Sequence, residues 1–155
     1  MKYYIGIDLG GTNIKAGVVN ENFEIVAKTS VKTNCPRPSE EIMDDMAKVS
    51  LMAVEQAGLT MNDIEWVGVG TPGIANSSTG IVEYSCNLDF HDVPMADYLS
   101  EKLGKPVFVD NDANAAAMGE MTYGIARGMK NFIMITLGTG VGSGIVIDGK
   151  VVYGH

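Results

Sequence analysis

The feature that most restricts the fold of this sequence is an internal repeat. Residues 5–19, IGIDLGGTNIKAGVV, align without gaps with residues 133–147, IMITLGTGVGSGIVI. Each segment has apolar residues on both sides of a turn that contains glycine and threonine, a pattern that predicts strand, turn and strand. A supersecondary unit that recurs at long spacing indicates duplicated domains. We therefore predict a first domain over residues 1–123, followed by a linker and the opening hairpin of an incomplete second domain over residues 124–155.

Strand and helix patterns alternate after the first copy of the repeat. Three apolar runs separated by short turns, over residues 3–9, 14–19 and 23–31, predict an antiparallel meander whose turns rely on Asn and Gly. The later elements are a helix from Ser39, which can cap it, to about Ala57, strands at 66–69 and 81–84, a helix at 95–103, a strand at 107–109, a helix at 113–123, strands at 132–137 and 145–147, and a hairpin turn at Asp148-Gly149. Such alternation predicts a layered α/β domain.

Composition and charge indicate a globular protein of the cytoplasm. Hydrophobic residues make up 46% of the chain, but no run approaches the roughly 20 apolar residues that span a bilayer. The first strand begins too early for a signal peptide. The formal net charge is -8, without a cluster of Lys and Arg, which argues against nucleic acid as a partner. Cys35 and Cys86 are isolated thiols without a partner at metal-ligand spacing, as expected in a reducing compartment.

The turn of the first repeat copy, Gly10–Thr12, which we call the first glycine loop, suits a phosphate group. Glycines let several backbone N–H groups approach a phosphate, and Thr12 adds a hydroxyl. Asp8 could hold Mg²⁺ through water, and Lys15 could reach a phosphate. The alternative is a simple tight hairpin. The sequence is neither a P-loop nor a dinucleotide fingerprint, because their spacings are absent and a strand follows.

The corresponding turn of the second copy, Gly138-Thr139-Gly140, is called the second glycine loop. Alone it is a weak signal. As the repeat partner of the first glycine loop it gains meaning, because two loops from two domains can grip one nucleotide between them.

A third motif joins a strand to a helix at Asp110-Asn111-Asp112. A carboxylate here can accept a proton from a substrate hydroxyl while the neighbouring Asn hydrogen-bonds another hydroxyl. The alternative is helix capping by Asn111 or Asp112. Two loops, one with Gly73 and one with Asn87, could line a sugar cleft or could be ordinary connections.

These motifs together resemble the ROK family of sugar kinases and sugar-responsive repressors, in the actin-like ATPase (ribonuclease H-like) superfamily. The resemblance rests on IGIDLGGT near the start, GVGTPG at 68–73, FVDNDANAAAMGE at 108–120 and ITLGTGVGSG at 135–144. It implies the α/β fold of that superfamily, with the opening meander in the first domain. It also implies a homodimer for the full-length protein.

The resemblance further implies a role for each motif. Asp112 would be the general base that deprotonates the 6-hydroxyl of a hexose, with glucose favoured over fructose or N-acetylmannosamine. The sugar would also contact Gly73, Asn87 and Asn111. ATP and Mg²⁺ would lie among the residues of both loops: Asp8, Gly10, Gly11, Thr12, Gly138, Thr139 and Gly140.

Two family features are missing from this sequence. Members carry a Glu-x-Gly-His segment that binds sugar and a cysteine cluster that binds zinc, and His155 falls too early to belong to either. Zinc is therefore expected only in a C-terminal part beyond this segment, and the segment by itself is predicted to be inactive. A C-terminal helix that packs back on the first domain is also absent.

A transcriptional regulator of the same family is the alternative function. Such regulators have a helix-turn-helix domain before the first strand, whereas here that strand begins at residue 3. With the negative charge, this favours the kinase. An inert scaffold is a third reading, against which the joint presence of Asp8, Thr12 and Asp112 argues.

Overall fold

A computed structural model describes residues 1–154 of the chain, so His155 lies outside the described residues. The strands are β1 (Tyr3–Leu9), β2 (Asn13–Asn20), β3 (Ile25–Lys32), β4 (Ile64–Thr71), β5 (Ile74–Asn76), β6 (Ile81–Ser85), β7 (Phe90–Val93), β8 (Val107–Asn111), β9 (Phe132–Leu137), β10 (Val141–Ile147) and β11 (Lys150–Val151). The helices are α1 (Ser39–Gln56), α2 (Met95–Leu103) and α3 (Asp112–Thr122), with a short 3-10 turn at Met61–Asp63. No helix within residues 1–154 is long and apolar enough to cross a membrane.

The main sheet has five strands in the order β3-β2-β1-β4-β8. The first three strands form the antiparallel meander that the sequence predicts, and β4 and β8 then add to β1 in parallel. Parallel neighbours need crossover connections, which α1 and α2 provide. Because β1, β4 and β8 run in one direction, their carboxyl ends lie at one edge of the sheet.

The core lies between one face of this sheet and helices α1 and α2. Alternate residues of the strands are buried here, among them Ile5, Ile7 and Leu9 of β1, as the two-residue period of a strand requires. They pack against one side of α1, which contributes Ile42, Met46 and Val49. The opposite face is covered only in part, by α3: a Cβ atom on Gly70 of β4 would lie 3.5 Å from Ala115 Cβ.

Two details of the predicted elements are wrong. Ser39 does not cap α1: Pro38 is the cap, without a side-chain bond, and the Ser39 hydroxyl instead contacts Glu40 Oε2 at 3.2 Å. In the turn between β2 and β3, Asn20 does close the turn, since its Oδ1 atom accepts from Asn22 N–H at 2.9 Å and Glu24 N–H at 3.0 Å. The left-handed residue, however, is Phe23, at φ 64°, and not Asn or Gly. The Phe23 ring stacks on that of Tyr123, with centroids 5.4 Å apart, a contact that offsets part of the strain of a left-handed backbone.

A small antiparallel sheet, β5-β6-β7, follows β4. The sequence predicted only its middle strand. Its strands are short, and β7 carries two charged or polar residues between Phe90 and Val93, so its alternation is easily missed. This sheet carries the loop with Asn87 between β6 and β7.

The hairpin of the second repeat copy, β9 and β10, packs against α3. A Cβ atom on Gly144 would lie 2.5 Å from Ala117 Cβ and 2.7 Å from the Ala113 carbonyl oxygen, and one on Gly142 would lie 3.2 Å from Ala113 Cβ. The strand therefore rests almost directly on the helix, which only glycine permits. The Asp148-Gly149 turn then joins β10 to β11, with both residues at positive φ, as predicted.

Candidate functional site

The predicted site residues gather at the carboxyl edge of the main sheet. Asp8 of β1 pairs with Gly70 of β4, and Gly70 pairs with Asp110 of β8, so the three form one row across the sheet. The loops that follow these strands meet at the same edge, which is where ligands bind in open α/β sheets.

The first glycine loop is a tight turn. Gly10 N–H donates to the Asn13 carbonyl oxygen at 2.9 Å, and a Cβ atom on Gly10 would lie 3.0 Å from that same oxygen. Gly11 and Thr12 are solvent-exposed at the tip. A Cβ atom on Gly11 would lie 3.9 Å from Asn87 Cβ, which places this loop beside the loop that carries Asn87.

Lys15 lies opposite Asp8 in the β1–β2 ladder. Its Nζ atom is 3.9 Å from Asp8 Oδ2, and both side chains are mainly exposed. The ammonium group and the carboxylate therefore share one patch of surface at the carboxyl edge. An exposed pair of this kind contributes little to stability, so both groups are available to a ligand.

Both polar atoms of the Asn111 side chain have partners inside the protein. Its Oδ1 atom accepts from the N–H groups of Ala113, at 2.9 Å, and Asn114, at 3.4 Å, and so caps α3. Its Nδ2 atom donates to the Gly73 carbonyl oxygen at 2.9 Å. The capping alternative is thus confirmed for Asn111. One N–H of its amide is left for a ligand, so toward a sugar Asn111 acts chiefly as a donor.

Gly73 is held in a conformation that suits glycine. Its φ is 91°, and a Cβ atom there would overlap the Tyr84 carbonyl oxygen and crowd Ser85. The turn after β4 therefore packs directly on β6. The neighbouring Ser85 hydroxyl is buried and has no hydrogen-bond partner within the described part of the chain.

Asp112 stands in the first turn of α3, next to this cap. Burial raises the pKa of its carboxyl group, and the charge of Asp8 raises the pKa further, whereas the hydrogen bond from Ala113 N–H lowers it. That bond, to Asp112 Oδ1, is 2.8 Å long. The residue remains exposed to solvent. A reachable carboxylate with a raised pKa takes up a proton more readily than an ordinary aspartate, as a general base should.

Asp110 connects the end of β8 to the chain beyond β11, a link that no sequence pattern indicated. Its Oδ2 atom accepts from the Tyr153 hydroxyl at 2.7 Å, and its Oδ1 atom accepts from Asn111 N–H at 2.7 Å and Asn114 Nδ2 at 3.2 Å. Burial of the Tyr153 hydroxyl, together with its hydrogen bond to the Asp110 carboxylate, raises the pKa of Tyr153. Asp110 is thus committed to holding the strand-to-helix junction.

The second glycine loop closes with a bond from Gly138 N–H to the Gly140 carbonyl oxygen at 2.9 Å. Gly142, just after this loop, lies against Ala113 in the first turn of α3. The loop is therefore at the same end of α3 as Asp112. The β9–β10 hairpin thus reaches the site by packing on α3, although its strands do not pair with the main sheet.

A cavity of about 1130 Å³ lies along the face of the main sheet that is turned away from α1. Asp8, Asp110 and Asp112 line one part of it, and the rest is mainly apolar, with a few polar side chains such as Lys28. Trp66 and Phe108 line it with their rings 5.9 Å apart, and the Tyr4 ring lies beside that of Trp66 at 4.7 Å, which makes an aromatic row. The site thus opens onto an uncovered apolar surface.

Comparison with known proteins gives a match to the ROK family over residues 4–155. A protein named glucokinase, from Halalkalibacterium halodurans, is 39% identical over 99% of this chain and 46% of its own length. A protein named xylose repressor, from Caldicellulosiruptor bescii, is 31% identical over 97% of this chain and 38% of its own length. The chain thus spans less than half of the length of these curated relatives.

Among solved structures, a ROK family glucokinase from Streptomyces griseus in complex with glucose and AMPPNP has a similar fold. The TM-score is 0.90 and the identity 40%, over 99% of this chain and 47% of that chain.

Proposed function

The chain belongs to the ROK family, and from this premise we propose that the full-length protein transfers the γ-phosphoryl group of ATP to the 6-hydroxyl of a hexose, with glucose as the first candidate. Its actin-like ATPase fold is that of ROK sugar kinases of known structure. The observation that carries the proposal is Asp112 itself, an exposed carboxylate that follows the Asn111 cap and lies close enough to Asp8 for that charge to raise its pKa.

Asp112 would take the proton of the 6-hydroxyl. The freed oxygen then attacks the γ-phosphorus, the bond from that phosphorus to the bridging oxygen breaks, and ADP leaves with the electron pair. Such a transfer depends mainly on positioning and on stabilising negative charge. The residues of this chain supply both, because the two substrates would meet at one edge of a rigid sheet.

The first glycine loop suits the phosphates of ATP. Gly11 and Thr12 are exposed at its tip, and a Cβ atom on Gly10 would be crowded by the Asn13 carbonyl oxygen at 3.0 Å. Asp8 ends β1 as an exposed carboxylate, the kind of oxygen ligand that Mg²⁺ prefers. Mg²⁺ would supply charge neutralisation at the phosphates. Lys15, beside Asp8, would add a positive charge, and the second glycine loop would approach from the side of α3.

The hexose would lie between Asn87 and Asn111. Asn111 offers one N–H to a sugar oxygen, and the Gly73 turn, which its amide holds, forms the adjacent wall. Two observations favour glucose over fructose and N-acetylmannosamine: the sequence of the loop around Asn87, and the similarity to the Streptomyces griseus glucokinase, whose structure contains glucose. A cytoplasmic location and a homodimer remain predictions of the sequence.

We also propose the division into a first domain at 1–123 and the start of a second at 124–155. The hairpin of the second copy rests on α3 through Gly142 and Gly144 rather than joining the main sheet. The uncovered face of that sheet is where the C-terminal helix implied by the family resemblance would pack. The segment alone stays predicted to be inactive.

A sugar-responsive regulator is the second candidate, supported by the xylose repressor among the relatives. It would use the same sugar pocket without turnover. Coupled measurement of ADP release on glucose, mannose, fructose and N-acetylated hexosamines distinguishes the two: turnover on one of them supports the kinase, and none on any of them, with specific DNA binding in a gel shift, supports the regulator.

The central test is Asp112→Asn in the full-length protein. The amide keeps the oxygen that accepts from Ala113 N–H but cannot take the substrate proton, so kcat should fall by about 10²–10⁴ while glucose still binds. Asp97→Asn is a matched control, because it makes the same change in the first turn of α2, which packs in the core on the opposite side of the main sheet. If kcat for Asp112→Asn stays within a few-fold of wild type, Asp112 is not the general base and serves only to stabilise the start of α3.

A further inference from the structure

We propose that Thr33 is a positioning residue that aims the N–H of Gly11 at the phosphates of the nucleotide. Thr33 follows β3, outside every motif identified in the sequence, and it is completely buried. The inference rests on the proposed function, because it assumes that the first glycine loop holds a nucleotide.

Thr33 holds this loop at both ends. Its hydroxyl donates to the Gly10 carbonyl oxygen at 2.7 Å, and its backbone N–H donates to the Thr12 carbonyl oxygen at 3.0 Å. Both acceptors belong to the loop, and both lie on its buried side. Two of its carbonyl groups are therefore fixed toward the protein interior.

The orientation of one N–H follows from peptide geometry. In a trans peptide the C=O and N–H bonds point in opposite directions. Because the Gly10 carbonyl points inward to Thr33, the N–H of Gly11 in the same peptide plane points outward, where Gly11 is exposed. Glycine would otherwise allow this plane to rotate, and a rotated plane would present an oxygen to a phosphate.

Thr33 is itself held by a charged connection to α1. Arg37 Nε donates to the Thr33 carbonyl oxygen at 2.7 Å, and Arg37 Nη2 lies 2.6 Å from Asp45 Oδ2. Both charged side chains are largely buried, with 18% and 30% of their surface exposed. All three polar groups of Thr33 therefore have partners, and the loop is braced against the central helix of the core.

The test compares three variants of the full-length protein. Thr33→Val keeps the side-chain shape and removes the hydroxyl, Thr33→Ser keeps the hydroxyl, and Ser50→Ala removes another buried hydroxyl, which bonds Met46 O within α1 at 2.7 Å. Affinity for a non-hydrolysable ATP analogue with Mg²⁺ is measured by calorimetry, together with KM for glucose, kcat and the melting temperature.

Thr33→Val should weaken nucleotide binding about tenfold, since a buried carbonyl loses its donor and the loop its restraint. KM for glucose should stay within about twofold, because the sugar is proposed to bind Asn87 and Asn111 rather than the Gly10–Gly11 peptide. Thr33→Ser should restore the affinity to within about twofold. Ser50→Ala should lower the melting temperature without changing nucleotide affinity, which separates positioning from a general loss of stability.

Unchanged nucleotide affinity in Thr33→Val, or an equal loss in Ser50→Ala, overturns the role of Thr33 and leaves the kinase proposal intact if the wild type turns over. A wild-type protein that binds no ATP analogue overturns both. If Thr33→Val does not fold, Asp45→Asn decides: loosening Arg37 should weaken nucleotide binding about threefold, and an unchanged affinity there overturns the inference.

Discussion

The two hairpins of the internal repeat match residue for residue in sequence, yet their ladders differ by one residue. Leu9 pairs with Ile14 in the first, whereas Leu137 pairs with Val141 in the second. The gapless alignment equates Ile14 with Gly142, so the second turn is one residue shorter. A change of one residue in register turns a strand's side chains to the opposite face.

The consequence is visible in the first strand of each hairpin. Ile5 and Ile7 are buried under α1, but their counterparts Ile133 and Ile135 are each 64% exposed. The second strands, β2 and β10, turn equivalent positions toward the covered face. In β10, however, Gly142 and Gly144 stand where β2 has Ile14 and Ala16, because β10 lies directly on α3. Repetition in sequence thus predicts a hairpin but not which of its faces is covered.

The largest expected effect comes from placing one charge in each first strand. In the 155-residue chain, Ile7→Lys should unfold the protein, because burying an ammonium group costs several kcal/mol against a total stability of about 5–15 kcal/mol. Ile135→Lys should change the free energy of unfolding by less than about 0.5 kcal/mol. Urea unfolding followed by the fluorescence of Trp66, the single tryptophan, measures both.

Comparable losses from the two substitutions would mean that the outer face of β9 is covered in solution. Light scattering on the same samples would then test whether a second copy covers it, since the exposed apolar edge at Ile133 and Ile135 favours self-association.

A smaller contrast is expected between the two turns. Gly10→Ala places a Cβ atom 3.0 Å from the Asn13 carbonyl oxygen, whereas a Cβ atom on its counterpart Gly138 meets no atom within 4 Å. Gly10→Ala should therefore lower stability by about 1 kcal/mol, and Gly138→Ala should leave it unchanged or slightly raised. Thermal unfolding of the two variants checks this, and equal melting temperatures would show that the first turn is looser than its geometry suggests.

The smallest effect concerns charge. Asp8 corresponds to Thr136 in the second copy, so only the first hairpin places a carboxylate near Asp112. Asp8→Thr should lower the pKa of Asp112, because one of the causes that raise it is removed while the larger one, burial, remains. Carbon-detected NMR titration of the Asp112 carboxyl group measures the change. The midpoint of its titration should move to lower pH. An unchanged midpoint would mean that the charge of Asp8 does not raise the pKa of Asp112.

Much of the fold could be predicted because local patterns and the fold agree. The meander, α2 with its stop at Gly104, and the Asp148-Gly149 turn are set by residues within a few positions of one another. What failed depends on distant contacts. Phe23 has a left-handed conformation and its ring stacks on Tyr123, a partner 100 residues away that no residue near Phe23 predicts.

The candidate site divides in the same way. Asp8, Asn111 and Asp112 are recognisable because catalysis and metal binding require particular side chains at the ends of strands. The hydroxyl groups of Thr33 and Tyr153 each bond a residue 23 or 43 positions away, and a lone hydroxyl in a sequence carries no sign of such a bond. The residues proposed to carry the chemistry could thus be selected from the sequence, whereas those that hold them in place could not.

The aromatic row of Tyr4, Trp66 and Phe108 has a consequence for biosynthesis. In a protein of the relatives' length, this half leaves the ribosome first and can complete its core with α1 and α2 at once. At roughly 5–20 residues per second, the second half follows over about ten seconds or more, and for that time the row lies open on the nascent chain. Chaperones that recognise exposed aromatic surface should therefore engage this protein during its translation, and release it as the remaining chain arrives.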